Sequence, residues 1–290
     1  MKSLIEIIRE AESKRTAIGH FNISDLVALK AIFSAAYGLK KPVIIGTSEG
    51  EGDFIGRKQA AALIKSLREE HDFPIFINAD HTHSFEKVKE AVSVGYDAIL
   101  FDAGKLDFEN NVKETKQVVE YVKSKNPSIL VEGELGYIGS SSKILKEIPE
   151  GAAIKPEDLT SPEEALYFIK ETGIDMLAPA VGNLHGMFKG AANPNIDIGR
   201  IQNIRTSGGI PLVLHGGSGI VDSDFVLAIE AGISIIHINT EIRLAWRQGV
   251  ERGLNQNPEE ITPYKILPEV VRSIEEIVSK RLNLFSKNWS

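Results

Sequence analysis

The chain has 290 residues, 42% hydrophobic and 25% charged, which supplies apolar material for a large core and excludes a disordered chain. Cysteine is absent, which excludes disulfides, zinc fingers and thiol nucleophiles and leaves His, Asp and Glu as metal ligands. A formal net charge of −7 argues against general nucleic-acid binding, and no stretch approaches the ~18 apolar residues of a membrane span.

The opening segment, MKSLIEIIREAESKR, sets Leu4, Ile7, Ile8 and Ala11 on one helical face and carries charges throughout, unlike the apolar core of a signal peptide. It predicts an amphipathic helix and a cytoplasmic protein. Eight short apolar runs follow: TAIGHFN (16–22), PVIIGTS (42–48), PIFINADH (74–81), DAILFDAG (97–104), SILVEGELG (128–136), DMLAPAVGN (175–183), PLVLHGG (211–217) and SIIHINTE (234–241). Helical patterns such as SDLVALKAIFSAAYGL and SFEKVKEAVSVG lie between them, the second opened by Ser84 as N-cap with Lys87 in its first turn. Strand and helix alternate as around a parallel sheet, and eight repeats predict a single α/β domain over 1–290, a closed (β/α)8 TIM barrel. An open doubly wound sheet is the alternative, but no GxGxxG follows the first strand. From Tyr137 to Thr160 the rhythm breaks, with SSSK, two prolines and two glycines, which reads as a long functional lid or as a tolerated surface insertion. The tail, 264–290, predicts a C-terminal helical extension after Pro268, with Val270, Val271, Ile274, Ile277 and Val278 on a face suited to another subunit.

Six of the seven histidines (His20, His81, His83, His185, His215, His237) fall in or just past predicted strands, and only His71 does not. Barrel active sites are built at the carboxyl ends of strands, and His81, His185 and His215 end the third, sixth and seventh. Three imidazoles with an open position form the ligand set of a catalytic zinc. A lone histidine is more often a hydrogen-bonded core or surface residue; three at matching heights favour the metal. In Asp80-His81-Thr82-His83, positions two apart share a side of a strand, so either histidine reaches the metal by spacing alone. His81 is the choice made here, with Asp80 beside it as a proton-transfer group or as a partner orienting an imidazole. Glycine-rich turns follow His185 and His215, and barrels commonly bind phosphate with the loops after strands seven and eight, here HGGSG (Gly216, Gly217, Ser218) and Asn239-Thr240-Glu241.

Taken together and in order, NADH at 78–81, EGELG at 132–136, GNLHGMFK at 182–189, LVLHGGSGI at 212–220 and INTE at 238–241 resemble class II, zinc-dependent ketose-bisphosphate aldolases, from FNISDL near residue 21 to about residue 250. The resemblance implies that His81, His185 and His215 hold Zn2+, which polarises the carbonyl of dihydroxyacetone phosphate, and that Asp80 exchanges a proton with the C4 hydroxyl. Glu134 and Asp102 match acidic positions serving an alternative or second divalent metal position. Ser48, Gly186, Gly216, Ser218, Asn239 and Thr240 match contacts to substrate or phosphate, and Gly186 also a monovalent cation site near that phosphate. Lys189 is expected as a phosphate or lid contact rather than as a Schiff-base lysine.

Three positions depart from the family pattern. His237 stands where many members have asparagine, Asp102-Ala103-Gly104 replaces Asp-Gly-Ser, and Ser140, Ser141 and Ser142 occupy the place of the glutamate that moves the C3 proton. Glu147, in preference to Glu150, is the carboxylate assigned to that proton. The function implied is reversible cleavage of fructose 1,6-bisphosphate to dihydroxyacetone phosphate and glyceraldehyde 3-phosphate by a homodimer or homotetramer. The alternatives are tagatose 1,6-bisphosphate or a related phosphorylated ketose as substrate, a non-catalytic companion subunit, and a metal-dependent hydrolase, which the phosphate-like turns disfavour.

Overall fold

In the computed structural model, residues 2–139, 142–147, 155–189, 193–287 and 289 are described. The chain opens with α1 (Leu4–Ser13), β1 (Ile18–Asn22), α2 (Leu26–Leu39) and β2 (Val43–Thr47). Two helices, α3 (Glu49–Ile55) and α4 (Arg57–His71), lead to β3 (Ile75–Thr82), and then α5 (Phe85–Val94), β4 (Ala98–Phe101), α6 (Phe108–Lys125) and β5 (Leu130–Leu135) follow. After the short β6 (Ile144–Leu145) come α7 (Pro162–Thr172), β7 (Met176–Pro179), the short β8 (Met187–Phe188), α8 (Ile198–Gly208) and β9 (Leu212–Leu214). The chain ends with α9 (Asp222–Ala231), β10 (Ile233–Ile238), α10 (Thr240–Gln256), α11 (Pro263–Ile266) and α12 (Pro268–Phe285).

Eight parallel strands close on themselves in the order β1-β2-β3-β4-β5-β7-β9-β10, with β10 pairing back onto β1 through His20↔His237 and Phe21↔Ile238. All eight predicted strands are present, and closure rules out the open doubly wound sheet. Several stop early at the carboxyl end: β4 at Phe101 rather than residue 104, β7 at Pro179 rather than 183, β9 at Leu214 rather than 217. Those residues leave the ladder to build the mouth. Ser84 caps α5 as the sequence predicts, its side chain accepting from the Lys87 N–H.

The amino end of the barrel is plugged. Leu4, Ile7, Ile8 and Ala11 of α1 pack on Ile18, Ile44, Phe76, Ala98, Leu130, Met176, Val213 and Ile235, one residue from near the start of each barrel strand. Burying the three larger α1 side chains contributes about 1.5–3 kcal/mol each, and with that end sealed the carboxyl mouth is the end open to a substrate. The long segment after β5 contributes β6, which pairs in parallel with β8 and so ties it to the loop after β7. The C-terminal extension is α11 and α12, and the structure corrects its expected role. Val270, Ile274, Val278, Leu282 and Phe285 are buried against the chain's own barrel, between α10 and α2, so this face is not offered to a second subunit.

Candidate active site and metal centre

At the end of β3 the pairing with β4 is irregular between Ala79 and Thr82, and His81 takes a left-handed backbone, φ +47°. That conformation costs a non-glycine residue about 1–3 kcal/mol and persists where the surroundings over-determine it. The bulge breaks strand alternation and separates the two histidines that spacing left equivalent. The His81 ring turns into the mouth, while His83, 48% exposed at its side chain, makes its ring contact with the Asp102 carbonyl (3.1 Å). His215 directly follows β9, and His185 sits six residues beyond the end of β7, in a loop rather than at a strand end, with its N–H donating to the Ile138 carbonyl (3.0 Å).

The rings of His81 and His185 are 4.6 Å apart, and those of His81 and His215 4.9 Å. With Glu134 of β5 the three histidines offer four ligand atoms within 4.8 Å of one another. Carboxylates set the orientation of two of them. His81 donates from Nδ1 to Asp102 Oδ2 (2.7 Å) and His215 from Nε2 to Glu132 Oε1 (2.7 Å), which turns His81 Nε2 and His215 Nδ1 toward each other at 3.2 Å. Two nitrogen lone pairs at that distance repel unless a proton or a cation lies between them. Burial alone would depress the His81 pKa, but the carboxylates of Asp80, Asp102 and Glu134 outweigh it and push it up to about 10. Burial and the neighbouring Asp102 push Glu134 well above the carboxylate range, while burial and His81 hold His185 far below the usual histidine value. His185 Nε2 and Glu134 Oε2 are buried with no hydrogen-bond partner among the described residues. This donor set, backed by carboxylates behind the imidazoles, fits a divalent cation.

Asp80 stands beside the cluster, its Oδ1 3.8 Å from His81 Nε2. Burial opposes its ionisation, but His81, His237 and His20 outweigh that and hold it well below the carboxylate range, so it is ionised at neutral pH. Asn22, at the end of β1, donates from Nδ2 both to Asp80 Oδ2 (2.8 Å) and to Glu51 Oε2 (2.8 Å). Glu51 also accepts from the Ser48 N–H and hydroxyl (2.9 Å each) and from Arg243 Nη2 (2.6 Å). Glu132, Asn22, Glu51 and Arg243 were not singled out from the sequence.

One cleft in two halves opens here, the halves sharing Asp80, Ser142, His185 and Asn239. One half is lined by Gly186, Gly216, Ser218, Asn239 and Thr240; the other, about 600 Å3, by Ser48, His81, Asp102 and Arg243. Gly186 (φ +100°) and Gly216 (φ +61°) approach neighbouring chain so closely that a Cβ would lie 2.7 Å from the Lys143 carbonyl oxygen and 2.3 Å from the Leu184 carbonyl oxygen. Thr240 opens the 17-residue α10, whose positive end therefore faces this half. Glu241 ties the place down, accepting from the Gly219 N–H (3.2 Å) and from Arg281 of α12 at 2.6 and 2.9 Å. Gly217 does not line the cleft; its N–H donates to the His237 carbonyl. Lys189 and Glu147 are exposed and line neither half of the cleft. Ser140, Ser141 and Glu150 lie outside the described residues.

A closed (β/α)8 barrel with three clustered histidines at its mouth, two of them braced by carboxylates, beside glycine turns and a helix N-terminus, defines a metal-dependent barrel enzyme. Comparison with known proteins makes this specific. The family model for class II fructose-bisphosphate aldolase matches residues 2–288. Fructose-bisphosphate aldolase of Geobacillus stearothermophilus is 37% identical over 99% of this chain and 97% of its own, and a probable fructose-bisphosphate aldolase of Bacillus subtilis is 36% identical over 99% and 98%. The crystal structure of the YdjI aldolase from Escherichia coli K12 superposes with a TM-score of 0.81 at 28% identity, covering 99% of this chain and 98% of that one. The chain belongs to the class II fructose-bisphosphate aldolase family.

Proposed function

We propose that the protein reversibly cleaves fructose 1,6-bisphosphate to dihydroxyacetone phosphate and glyceraldehyde 3-phosphate, with zinc held by His81, His185 and His215. The observation that carries the reading is the convergence, in one cleft, of this cluster, an ionised Asp80 and a phosphate-sized cradle of backbone and hydroxyl donors. The names of the full-length relatives support it. Bound zinc supplies a Lewis acid that polarises the substrate ketone; Glu134 and Asp102 are suited to a second divalent position, and the Gly186 turn to a monovalent cation beside the phosphate.

The chain's own residues do the rest. Asp80, held by Asn22, takes the proton of the C4 hydroxyl as the C3–C4 bond breaks and returns it in the condensation. Gly186, Gly216, Ser218, Asn239 and Thr240 bind the phosphate of the dihydroxyacetone half, and Ser48 contacts substrate in the other half. Tagatose 1,6-bisphosphate, the C4 epimer, is kept as a second substrate because His237 sits against Asp80, the group that meets the C4 hydroxyl. We assign the enzyme to cytoplasmic carbohydrate metabolism as a homodimer or homotetramer, the assembly to be read by light scattering.

The test is coupled-assay cleavage of both bisphosphates before and after chelation and with zinc restored. Zinc-restorable activity on fructose 1,6-bisphosphate is expected. A zinc-loaded protein inactive on both sugars refutes the reading and returns another phosphorylated ketose as substrate or the companion-subunit alternative.

A further inference from the structure

The structure gives His237 a partner. His20 and His237 are in register on the neighbouring strands β1 and β10, and their rings stack face to face with centroids 3.4 Å apart and 1° between planes. Both are buried, and His237 also leans on His215 at 3.9 Å. The barrel makes room for the pair: a Cβ on Gly46 of β2 would lie 2.2 Å from His20 Cε1. His237 Nδ1 is 3.3 Å from Asp80 Oδ1, and neither atom has a well-aligned partner among the described residues. A buried polar atom left unsatisfied costs about 1–3 kcal/mol, so two imidazoles are an expensive filling for a space that a leucine would fill at no such cost. Metal binding by the pair does not account for them. Stacked rings carry their nitrogens side by side, and parallel lone pairs do not converge on one ion at ~2.0–2.1 Å.

We propose that the His20–His237 stack is a positioning device for Asp80. A neutral imidazole has one N–H to give. His237 gives it from Nδ1 to Asp80 Oδ1, His20 fixes the plane of the His237 ring, and Asn22 holds Oδ2 from the opposite side. The carboxylate is thereby confined to one orientation facing the cleft. The contact is long without substrate and tightens as the site fills, as catalytic hydrogen bonds commonly do.

The inference rests on Asp80 moving the C4 hydroxyl proton, and two partial reactions separate the two claims. Cleavage needs Asp80; exchange of the C3 proton of dihydroxyacetone phosphate with solvent does not, because a triose has no C4. His237→Phe keeps the stacked ring and loses the donor. The expected result is a fall in cleavage kcat of about 10- to 100-fold, the range of a lost hydrogen bond to a charged group, with KM, zinc content and C3 exchange within about twofold of wild type. His237→Gln, which restores a donor of similar length, is expected to return cleavage to within about fivefold. Equal falls in exchange and cleavage, or loss of zinc, would mean a structural or metal-supporting role and overturn the proposal; so would unchanged cleavage in His237→Phe. Failure of the underlying reading is distinct: in that case Asp80→Ala itself keeps cleavage.

Discussion

Replacing Arg281 tests whether the C-terminal helix anchors the phosphate end of the site. Arg281 and Glu241 are 8% and 9% exposed at their side chains, and two hydrogen bonds of 2.6 and 2.9 Å join them. Asp222, the third partner at 2.8 Å, is 50% exposed and adds little. Arg281→Met leaves Glu241 buried without its counter-charge, a change that costs about 3–5 kcal/mol. For a chain of this size that corresponds to a fall in Tm of about 5–8 °C. Glu241 also accepts from the Gly219 N–H, and its own N–H donates to the Ser218 hydroxyl, so the loop that cradles phosphate loosens as well. The assay is calorimetry of the zinc-loaded protein alongside steady-state kinetics, with KM for the bisphosphate expected to rise several-fold and kcat to hold. The double variant Arg281→Met/Glu241→Met removes both charges and is expected to recover about half of the lost stability. A Tm for Arg281→Met within about 2 °C of wild type, or a double variant no better than the single, would refute the reasoning.

Glu132→Leu removes the acceptor that orients His215 and is expected to weaken zinc binding about 10- to 100-fold in a chelator competition, whereas Glu132→Gln, which keeps an oxygen, weakens it less. His81, raised to about 10, is protonated at pH 7.5 in the metal-free protein, whereas His185 is held neutral, so zinc binding releases about one proton, read from the buffer dependence of titration calorimetry. The same shift fixes a sign. A group whose folded pKa is raised stabilises fully below its unfolded value of ~6.5 and loses that contribution as pH rises through about 10, so the metal-free protein is expected to lose Tm across pH 6.5–10 more steeply than the zinc-loaded one. Lys189→Ala and Glu147→Ala are expected to leave cleavage and C3-proton exchange within about threefold of wild type, because both residues lie outside the cleft; a loss of a hundredfold in C3 exchange would mean Glu147 reaches the substrate.

Apolar runs of seven to nine residues bounded by turns were enough to read the barrel, because in a parallel sheet both faces of each strand are covered and the run is nearly continuous. The amphipathic face of α1 was equally legible in the spacing of Leu4, Ile7, Ile8 and Ala11, but not its use as the plug of the barrel's amino end. What alternation cannot reveal is a bulge, and the one between Ala79 and Thr82 decides which histidine joins His185 and His215. His185 lies not at a strand end, as its run predicts, but in a loop braced by Ile138, which no periodicity predicts. Glu132 did carry a signal, since it lies two positions from Glu134 on an otherwise apolar strand and so shares its face. Asn22 and Glu51 carried none, because their roles depend on contacts across 58 and 29 residues of sequence.

On the proposed reading the mouth takes a cation and an anion side by side, and the two are recognised by different means. Asp80, Asp102, Glu132 and Glu134 are four carboxyl groups crowded around three histidines, and the site relieves that crowding with a proton on His81 and by pushing the pKa of Glu134 upward. A divalent cation does the same work while displacing the His81 proton, so the surplus of acid is itself the preference for a metal. A lysine or arginine placed there for phosphate would be drawn to these carboxylates instead, as Arg243, the one Lys or Arg lining the cleft among the described residues, is drawn to Glu51. Backbone N–H groups of glycine turns and the first turn of α10 avoid that competition, because their positive ends are fixed in the fold and cannot swing toward an acid. The anion is therefore left to neutral donors held by Glu241 and Arg281 from behind, and the histidines are left to the metal.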